Sequence, residues 1–265
     1  MPAMISIENV SKRFKEVEAV KNISLTVKKG ELFALLGPNG AGKSTTIKML
    51  TTLLRPSSGT LMLNGHDVVK HQDAARKSFG IVFQDPSVDT ELTAYENMTL
   101  HAELYGISKS TQHKRIEELM TLVELWDRRD SLVRTFSGGM KRRLEIARGL
   151  LHHPKILFLD EPTLGLDAQT RNLLWAYVQK LRSEKDMTVL FTTHYLEEAE
   201  ANADRIAFID HGSLITVGTS KELMKQTNTT TLEGAYLELT GKEIRDETSN
   251  AHGNWRERQR ARAMR

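Results

Sequence analysis

Two glycine-containing segments of the chain have the composition of phosphate-binding turns. The first, GPNGAGKST (residues 37–45), matches the pattern G-x-x-x-x-G-K-[ST] at every fixed position. Glycines let such a loop curl until successive N–H groups face a β-phosphate, and the helix that follows adds its positive end. We expect Lys43 to neutralise the β- and γ-phosphates and the Ser44 hydroxyl to ligate Mg²⁺. The predicted nucleotide-binding residues here are Gly37, Pro38, Asn39, Gly40, Ala41, Gly42, Lys43, Ser44 and Thr45.

The alternative interpretation of this segment is a glycine-rich turn between a strand and a helix that binds no ligand. A chance match to the pattern in a chain of this length has a probability on the order of one in a hundred. The segment also follows a buried strand pattern and precedes a helical one, which lowers that probability further.

The second turn lies about a hundred residues later, in TFSGGMKRRLE (residues 135–145). Ser137 supplies a hydroxyl, Gly138 and Gly139 supply bare N–H groups, and the helix they begin supplies its dipole. An ordinary helix N-cap explains the serine, but it does not explain two glycines, which cost helix stability. Because one nucleotide does not need two cradles, the second turn requires an explanation of its own.

Carboxylates follow another buried strand pattern, where ILFL runs into Asp160 and Glu161. An open α/β sheet places its ligand-facing side chains at such strand ends. We expect Asp160 to orient Mg²⁺ or its waters and Glu161 to polarise an attacking water. The alternative is that the pair only caps a helix that starts at Pro162.

Two further strand patterns end in polar residues suited to the same cleft, Gln84 after FGIVF and His194 after VLFTT. We expect Gln84 to reach a γ-phosphate through Mg²⁺ and water. His194 is expected to reach it by a direct hydrogen bond and to steady Glu161. A lone Gln or His at a strand end is more often a solvated loop residue. The catalytic candidates are therefore Glu161, His194, Gln84 and Lys43, and the metal-ligand candidates are Ser44, Gln84 and Asp160.

The elements that must position these residues follow an α/β plan. Short apolar runs ending in polar residues predict buried parallel strands, and helical patterns over 42–54, 168–185 and 196–203 follow several of them. Alternation in ISIENV and ISLTV predicts half-buried strands near the N-terminus. Asn64-Gly65 predicts a hairpin, and a further turn is expected near Gly212.

No strand pattern occurs between Asp85 and Pro154, where apolar residues instead recur at helical spacing. This predicts an all-helical insert over about 86–154. In its last helix the apolar positions fall on one side, and Lys141, Arg142, Arg143 and Arg148 are expected largely elsewhere.

Composition narrows the class of protein. The 265 residues are 39% apolar and contain no cysteine, which excludes disulfide scaffolds and thiol catalysis. The longest apolar runs fall far short of the roughly 20 residues that span a bilayer, and the start of the chain does not resemble a signal peptide, so a cytosolic protein is expected. The net charge is +3, but residues 255–265 alone hold five Arg and one Glu. The excess positive charge therefore lies on a short tail and not on a folded face, so nucleic acid is not an expected partner. This Arg-rich segment either touches anionic lipid or is a solvated, disordered end.

Taken together, residues 37–45, Gln84, FSGGMKRR, ILFLDEP, LGLD and His194 resemble the ATP-binding cassette (ABC) ATPases in order and spacing. The likeness covers residues 4 to about 225, and the Ser-Gly-Gly turn just before DEPT is specific to that family. It implies an α/β P-loop NTPase core with a mainly parallel sheet, an N-terminal antiparallel β subdomain and an all-helical insert. It also implies a nucleotide-binding domain at 1–225, with its helical signature subdomain at about 86–154, and a C-terminal extension at 226–265.

The resemblance also implies a use for the second turn. In this family two cassettes pack head to tail, and the Ser-Gly-Gly turn of one binds the γ-phosphate in the P-loop of the other. ATP and Mg²⁺ are the implied cofactors, with Ser137, Gly138 and Gly139 facing a partner chain, most simply a second copy. Phe14 falls where the family stacks an aromatic ring on adenine, although a core position is the alternative. Asp167, in LGLD, falls in the dimer-interface loop, although it is equally suited to cap the next helix.

The segment SGGMKRRLEIARGLLHHPKILFLDEPTLGLD is most similar to the ATPase subunits of drug-resistance and lipo-oligosaccharide exporters, although Met140 stands where many members have Gln. The resemblance therefore implies an ATPase that powers export of a drug-like, lipid-like or other amphipathic compound. Membrane permease subunits are the implied partners, which would hold the chain at the cytoplasmic face of the cell membrane. The alternatives are an importer ATPase, a non-transport ABC ATPase and a different P-loop enzyme such as a small-molecule kinase.

Overall fold

The computed structural model describes residues 3–85 and 87–241, apart from the side chain of Lys185. The strands are β1 (Ala3–Phe14), β2 (Val17–Lys28), β3 (Leu32–Leu36), β4 (Ser58–Leu63), β5 (His66–Asp67), β6 (Phe79–Val82), β7 (Ile156–Asp160), β8 (Thr188–Thr193), β9 (Arg205–Asp210) and β10 (Ser213–Gly218). The helices are α1 (Lys43–Leu50), α2 (Gln72–Ser78), α3 (Ala94–Leu104), α4 (Lys109–Leu122), α5 (Gly138–Gly149), α6 (Ala168–Lys185), α7 (Leu196–Asn202), α8 (Ser220–Thr227) and α9 (Leu232–Thr240).

The central sheet has the strand order β10-β9-β3-β8-β7-β6, and all neighbours are parallel except β10 on β9. Every residue of β3, β7 and β8 is buried, as expected for parallel strands covered on both faces. Because these strands are parallel, their carboxyl ends lie at one edge, where the loops after β3, β6, β7 and β8 carry the predicted site residues.

A second, antiparallel sheet has the order β2-β1-β4-β5. Asn64 and Gly65 have φ of 47° and 80°, the left-handed pair that a two-residue hairpin between β4 and β5 requires. His211 and Gly212 have φ of 46° and 79° and join β9 to β10 in the same way. Both predicted turns are therefore present, and the α/β class with an N-terminal antiparallel sheet is confirmed.

Two apolar cores lie on opposite faces of the central sheet. One core joins the antiparallel sheet to α1, where Ile47 is fully buried. The other joins α3, α4 and α5 to β7 and β8 and extends to Tyr236 of α9, whose ring lies edge-on to Phe208 at 5.2 Å. The helical insert is thus attached to the same core as the strands that carry the site.

Three local details differ from the sequence predictions. Helix α1 ends at Leu50 rather than at residue 54, because Thr52 turns left-handed with φ 63° and the N–H groups of Leu53 and Leu54 both bond the Lys48 carbonyl. Helix α7 ends at Asn202, one residue early. Arg142 and Arg148 of α5, which the sequence pattern predicts to lie largely off the apolar side of the helix, are buried, at 6% and 7% exposure.

Residues 242–265 lie outside the described part of the chain, and with them the predicted Arg-rich tail at 255–265. In residues 3–85 and 87–241, none of the helices has the length and apolar character needed to cross a bilayer. The predicted division of the chain at residue 225 falls within α8 and stays a prediction.

Candidate nucleotide-binding site

The loop between β3 and α1 is held in place by backbone contacts from three parts of the chain. Gly42 has φ 101°, and a Cβ there would lie 2.6 Å from the Ala19 carbonyl oxygen. Gly212 packs on the same carbonyl, its N–H donates to the Ala41 carbonyl at 3.0 Å, and its own carbonyl accepts from the Lys21 N–H at 2.7 Å. The left-handed backbone and the close approach both require glycine at position 42. Gly42 caps α1 without any side-chain hydrogen bond, so the positive end of the helix faces the loop.

Lys43 is buried at the start of α1 with its ammonium among oxygen atoms. Its Nζ donates to the carbonyls of Gly37 at 2.7 Å and Pro38 at 3.1 Å, and it lies 3.1 Å from Glu161 Oε1. Burial lowers the pKa of the Lys43 ammonium from its ordinary value, and the carboxylates of Glu161 and Asp160 offset this only in part. The structure therefore places the largely desolvated ammonium group of Lys43 at the centre of the loop.

Asp160 ends β7 beside the first turn of α1. The Ser44 hydroxyl donates to Asp160 Oδ1 at 3.1 Å, and the Thr192 hydroxyl of β8 donates to the same atom at 2.6 Å. Mg²⁺ prefers hard oxygen ligands such as hydroxyl and carboxylate groups. A hydroxyl and a carboxylate beside a phosphate-binding loop are a donor set that fits this ion.

Glu161 follows with a left-handed backbone, φ 46°, and its N–H donates to the Thr192 hydroxyl at 2.9 Å. Its carboxylate lies between Lys43 and His194, whose Nδ1 is 3.1 Å from Oε2. Burial alone would raise the pKa of Glu161, but the hydrogen bond to His194 and the charge of Lys43 outweigh it, so the pKa lies below its ordinary value. The geometry therefore presents an ionised carboxylate in a fixed orientation.

Lys43, Ser44 and Glu161 line one pocket of about 310 Å³, and Asp160 lies directly behind it, bonded to Ser44. It is lined by Ala19, Pro38, Asn39, Gly40, Ala41, Gly42, Lys43, Ser44, Thr45, Gln84 and Glu161. The side chain of Gln84 is exposed, and its backbone carbonyl accepts from Arg142 Nη2 at 2.9 Å. His194 does not line this pocket, but it contacts the pocket through Glu161.

Phe14 and Asp167 lie apart from these groups. Phe14 is at the tip of the β1–β2 hairpin with 42% of its surface exposed, so it is not a core residue, and Lys12 Nζ lies 5.0 Å from its ring centroid. Asp167 is the N-cap of α6, and its carboxylate accepts from the backbone N–H of Thr170 at 2.9 Å and from the Thr170 hydroxyl at 2.7 Å. These hydrogen bonds lower the pKa of Asp167 below its ordinary value. The capping alternative for Asp167 is therefore observed.

The second glycine turn begins α5 on the surface of the molecule. Ser137 is the N-cap, and its hydroxyl accepts from the Met140 N–H at 3.3 Å. A Cβ at Gly139 would lie 2.3 Å from the Thr170 side chain, so packing within the chain explains this glycine. A Cβ at Gly138 would meet only Leu166, at an ordinary 3.6 Å. Gly138 is exposed, and nothing in the fold of one chain requires glycine there.

The sequence reasoning missed a buried arginine that ties α5 to the site. Arg142 donates to the carbonyls of Phe83 and Gln84, to the Pro162 carbonyl at 3.0 Å, and pairs with Glu145 at 3.0 Å. The available signal was the position of Arg142 one turn before Glu145 on a helix that packs on the sheet.

The comparisons with known proteins agree with this geometry. The sequence profile described as ABC transporter matches residues 20–164 of the chain. The chain belongs to the ABC transporter family. The linearmycin resistance ATP-binding protein LnrL of Bacillus subtilis is 43% identical to this ABC ATPase over 220 residues, 83% of this chain and 70% of LnrL.

Another relative is the daunorubicin/doxorubicin resistance ATP-binding protein DrrA of Streptomyces peucetius, 47% identical over 219 residues, 83% of this chain and 66% of DrrA. This ABC ATPase thus spans about two thirds of the length of both relatives. A solved structure described as the dimeric structure of MJ0796, a bacterial ABC transporter cassette, superposes with a TM-score of 0.74 at 30% identity and covers 82% of this chain and 98% of that one. The prediction of an ABC ATPase is confirmed.

Proposed function

We propose that this ABC ATPase is the ATP-hydrolysing subunit of a membrane exporter of a drug-like, lipid-like or other amphipathic compound. The observation that carries the proposal is the Glu161 carboxylate fixed between Lys43 and His194 at the edge of the phosphate-binding loop. Similarity to proteins named for resistance to linearmycin and to daunorubicin supports export as the direction of transport and a drug-like compound as the cargo.

The residues of the pocket divide the chemistry among them. The loop N–H groups and Lys43 bind the phosphates of ATP, and the oxygens of Ser44, Asp160 and Gln84 hold the metal. When bound, Mg²⁺ neutralises charge that develops on the phosphates. Glu161 accepts a hydrogen bond from the attacking water and polarises it, while His194 holds the Glu161 carboxylate in orientation.

One chain supplies only part of this site. Ser137 and Gly138 are exposed at the N-terminus of α5 and do not line the pocket that contains Lys43. We infer that they contact the γ-phosphate held by a second copy, as the dimeric form of the similar cassette supports. In such a dimer the exposed Phe14 ring would stack on adenine, and Asp167 would lie at the interface.

We infer that the surface that contacts the permease lies on α3, on the side of the insert near Gln84 and Ser87. Leu100, Leu104 and Tyr105 are exposed there, at 47%, 72% and 44%. Arg148 of α5 donates to the Ser87 carbonyl at 2.7 Å, which holds the segment after Gln84 against the insert. Exposed apolar side chains at this place support docking of a membrane subunit, which would hold the chain at the cytoplasmic face of the membrane.

The Glu161→Gln variant tests the dimeric ATPase. We expect it to bind MgATP, to lose steady-state hydrolysis by at least about a hundredfold, and to accumulate as a dimer in size-exclusion chromatography. The expectation follows because the γ-phosphate contacts that join the two chains are then not removed by hydrolysis.

Glu184→Gln, an exposed change on α6, is the matched control and is expected to hydrolyse ATP normally. A Glu161→Gln protein that is folded by circular dichroism but stays monomeric with saturating MgATP would contradict the proposal. Copurification with the native multi-span subunit, followed by transport assays in vesicles, separates an exporter from an importer.

A further inference from the structure

A cleft of about 830 Å³ lies beside the nucleotide site and is bounded by α6, α7 and the start of α9. Pockets that bind small molecules measure roughly 300–1,000 Å³. Aromatic and apolar side chains form part of its wall, among them Trp175, Tyr195 and Leu232. ATP turnover as proposed above does not use this cleft, although His194 lines it and also bonds Glu161 of the nucleotide pocket.

The charge of the lining is strongly negative. Glu197, Glu198, Glu200 and Glu233 line the cleft, and Arg171 is the one Lys or Arg side chain among the described residues that line it. The Arg171 guanidinium lies 5.9 Å from the centroid of the Tyr195 ring, which already shows that an aromatic face here accepts a cation.

Glu198 contributes to this charge from a partly buried position. Its Oε1 accepts from Trp175 Nε1 at 2.9 Å and from the Thr163 hydroxyl, which hold the carboxylate against α6. Its Oε2 is buried from solvent, and no group in the described part of the chain bonds to it. Glu198 therefore acts on a cation in the cleft through its charge and not by a hydrogen bond from Oε2.

We propose that this cleft is a second ligand site, which binds an organic cation with an aromatic or apolar body. The carboxylates attract the positive charge, and the Trp175 and Tyr195 rings contact the body of the ligand. The site is distinct from the phosphate-binding loop, whose N–H groups and Lys43 favour anions.

Binding is measured by fluorescence anisotropy with rhodamine 6G, an aromatic monocation, on the full-length protein. Rhodamine B, which has the same ring system but is neutral overall because of its carboxylate, is the matched probe. We expect rhodamine 6G to bind at least about tenfold more tightly than rhodamine B. Saturating MgADP should not displace it, because the nucleotide occupies the other pocket.

Variants locate the site. Replacing the two exposed residues together, Glu197→Gln with Glu233→Gln, should weaken rhodamine 6G binding by about fivefold without disturbing the core. Trp175→Leu should weaken it by about tenfold through loss of the aromatic face. Because Trp175 is buried against Phe191 and its variant is the one at risk of misfolding, the exposed double variant keeps the test decisive.

Glu184→Gln, which removes a glutamate elsewhere on α6, should leave the affinity unchanged. Equal affinity for the two dyes, displacement of rhodamine 6G by MgADP, or full affinity in the folded double variant would each overturn the proposal.

Discussion

At the scale of single residues, Thr192 fixes the different surroundings of the two adjacent carboxylates. Its hydroxyl donates to Asp160 Oδ1 at 2.6 Å and accepts from the Glu161 N–H at 2.9 Å. The side chain is fully buried in β8, directly opposite Asp160 in the sheet register. One hydroxyl therefore orients the candidate metal ligand and also satisfies the backbone of the left-handed residue that follows it.

Replacing this residue, Thr192→Val, should lower the free energy of unfolding by about 1–3 kcal/mol, because the buried Glu161 N–H loses its acceptor and the buried Asp160 carboxylate loses one of its two hydroxyl donors. Urea unfolding followed by circular dichroism measures the change. Thr60→Val, at an exposed strand position, is the control and should stay within about 0.5 kcal/mol of the wild type. Equal stability of the two variants would show that the hydroxyl is not needed.

The sequence predicted most of this cluster but not Thr192. Lys43, Asp160, Glu161 and His194 were recognisable because each has a chemically distinctive side chain at the start of a helix or the end of a strand pattern. Thr192 stands within a strand run, where threonine is ordinary. Its importance comes from being paired with Asp160 across the sheet, and the sequence pattern does not contain that register.

At the scale of elements, α5 joins the helical insert to the site through charged residues that face inward. Glu145 accepts from the Ser87 backbone N–H at 2.6 Å, and Arg148 donates to the Ser87 carbonyl at 2.7 Å. Together with Arg142, these side chains bind the backbone groups of Phe83, Gln84 and Ser87. A displacement of α5 must therefore move the segment that carries Gln84.

Periodicity predicted the helices of the insert and placed these charges largely off the apolar side of α5, but it did not predict their burial. Arg142 and Arg148 are buried because backbone carbonyls and Glu145 satisfy their donors. The carbonyls of Phe83, Gln84 and Ser87 lie about 60 residues away in sequence, and only the packing of α5 on the end of β6 brings them to these side chains.

The packing of α3 against α5 also makes the stability of the protein depend on pH. Burial, and then the charge of Arg148, lower the pKa of His101 to about 4. In the unfolded chain this histidine takes up its proton near its ordinary pKa of about 6.5, so the unfolded state binds more protons between the two values. Stability contributed by the neutral imidazole is therefore present above pH 6.5 and should be lost as the pH falls toward 4.

The measurement is urea unfolding of the wild type and of His101→Gln at several pH values from 7 to 4. We expect the wild type to lose more stability than the variant across this window. His71→Gln, an exposed change, should follow the wild type. If the stability of the wild type and of His101→Gln fell in parallel with pH, His101 would not be held neutral by its surroundings in the folded state.

At the scale of the whole molecule, the two phosphate-binding turns lie in different parts of one chain. The loop at 37–45 lies at the edge of the central sheet, and the turn at 137–139 lies on the insert, against residues Leu166 and Thr170. The proposed two-fold dimer would pair each turn with the other chain's loop and so make two composite sites. If the sites are composite, mixing two variants that are inactive for different reasons should restore ATPase activity.

Gly138→Asp and Lys43→Ala form the pair for this test. An Asp at Gly138 fits the first turn of α5 and should leave the fold intact, but it places a negative charge against the partner's phosphates. Each variant alone should hydrolyse ATP at least about tenfold more slowly than the wild type. An equal mixture contains heterodimers with one complete site, so it should recover up to about a quarter of the wild-type rate.

Lys48→Ala, an exposed change on α1, is the control and should remain active without being mixed with a second variant. Wild-type turnover by Gly138→Asp alone, or no recovery in mixtures that demonstrably dimerise, would contradict composite sites.

The two-residue hairpins differ in a way that matters for anyone labelling this protein. A side chain at Gly65 would meet nothing within 4 Å, whereas one at Gly212 would collide with the Ala19 carbonyl at 2.8 Å, the same atom that supports Gly42. A fluorophore or epitope inserted at 64–65 extends into open space. The same insertion at 211–212 would displace the backbone that supports the loop at 37–45, which we propose binds the phosphates of ATP.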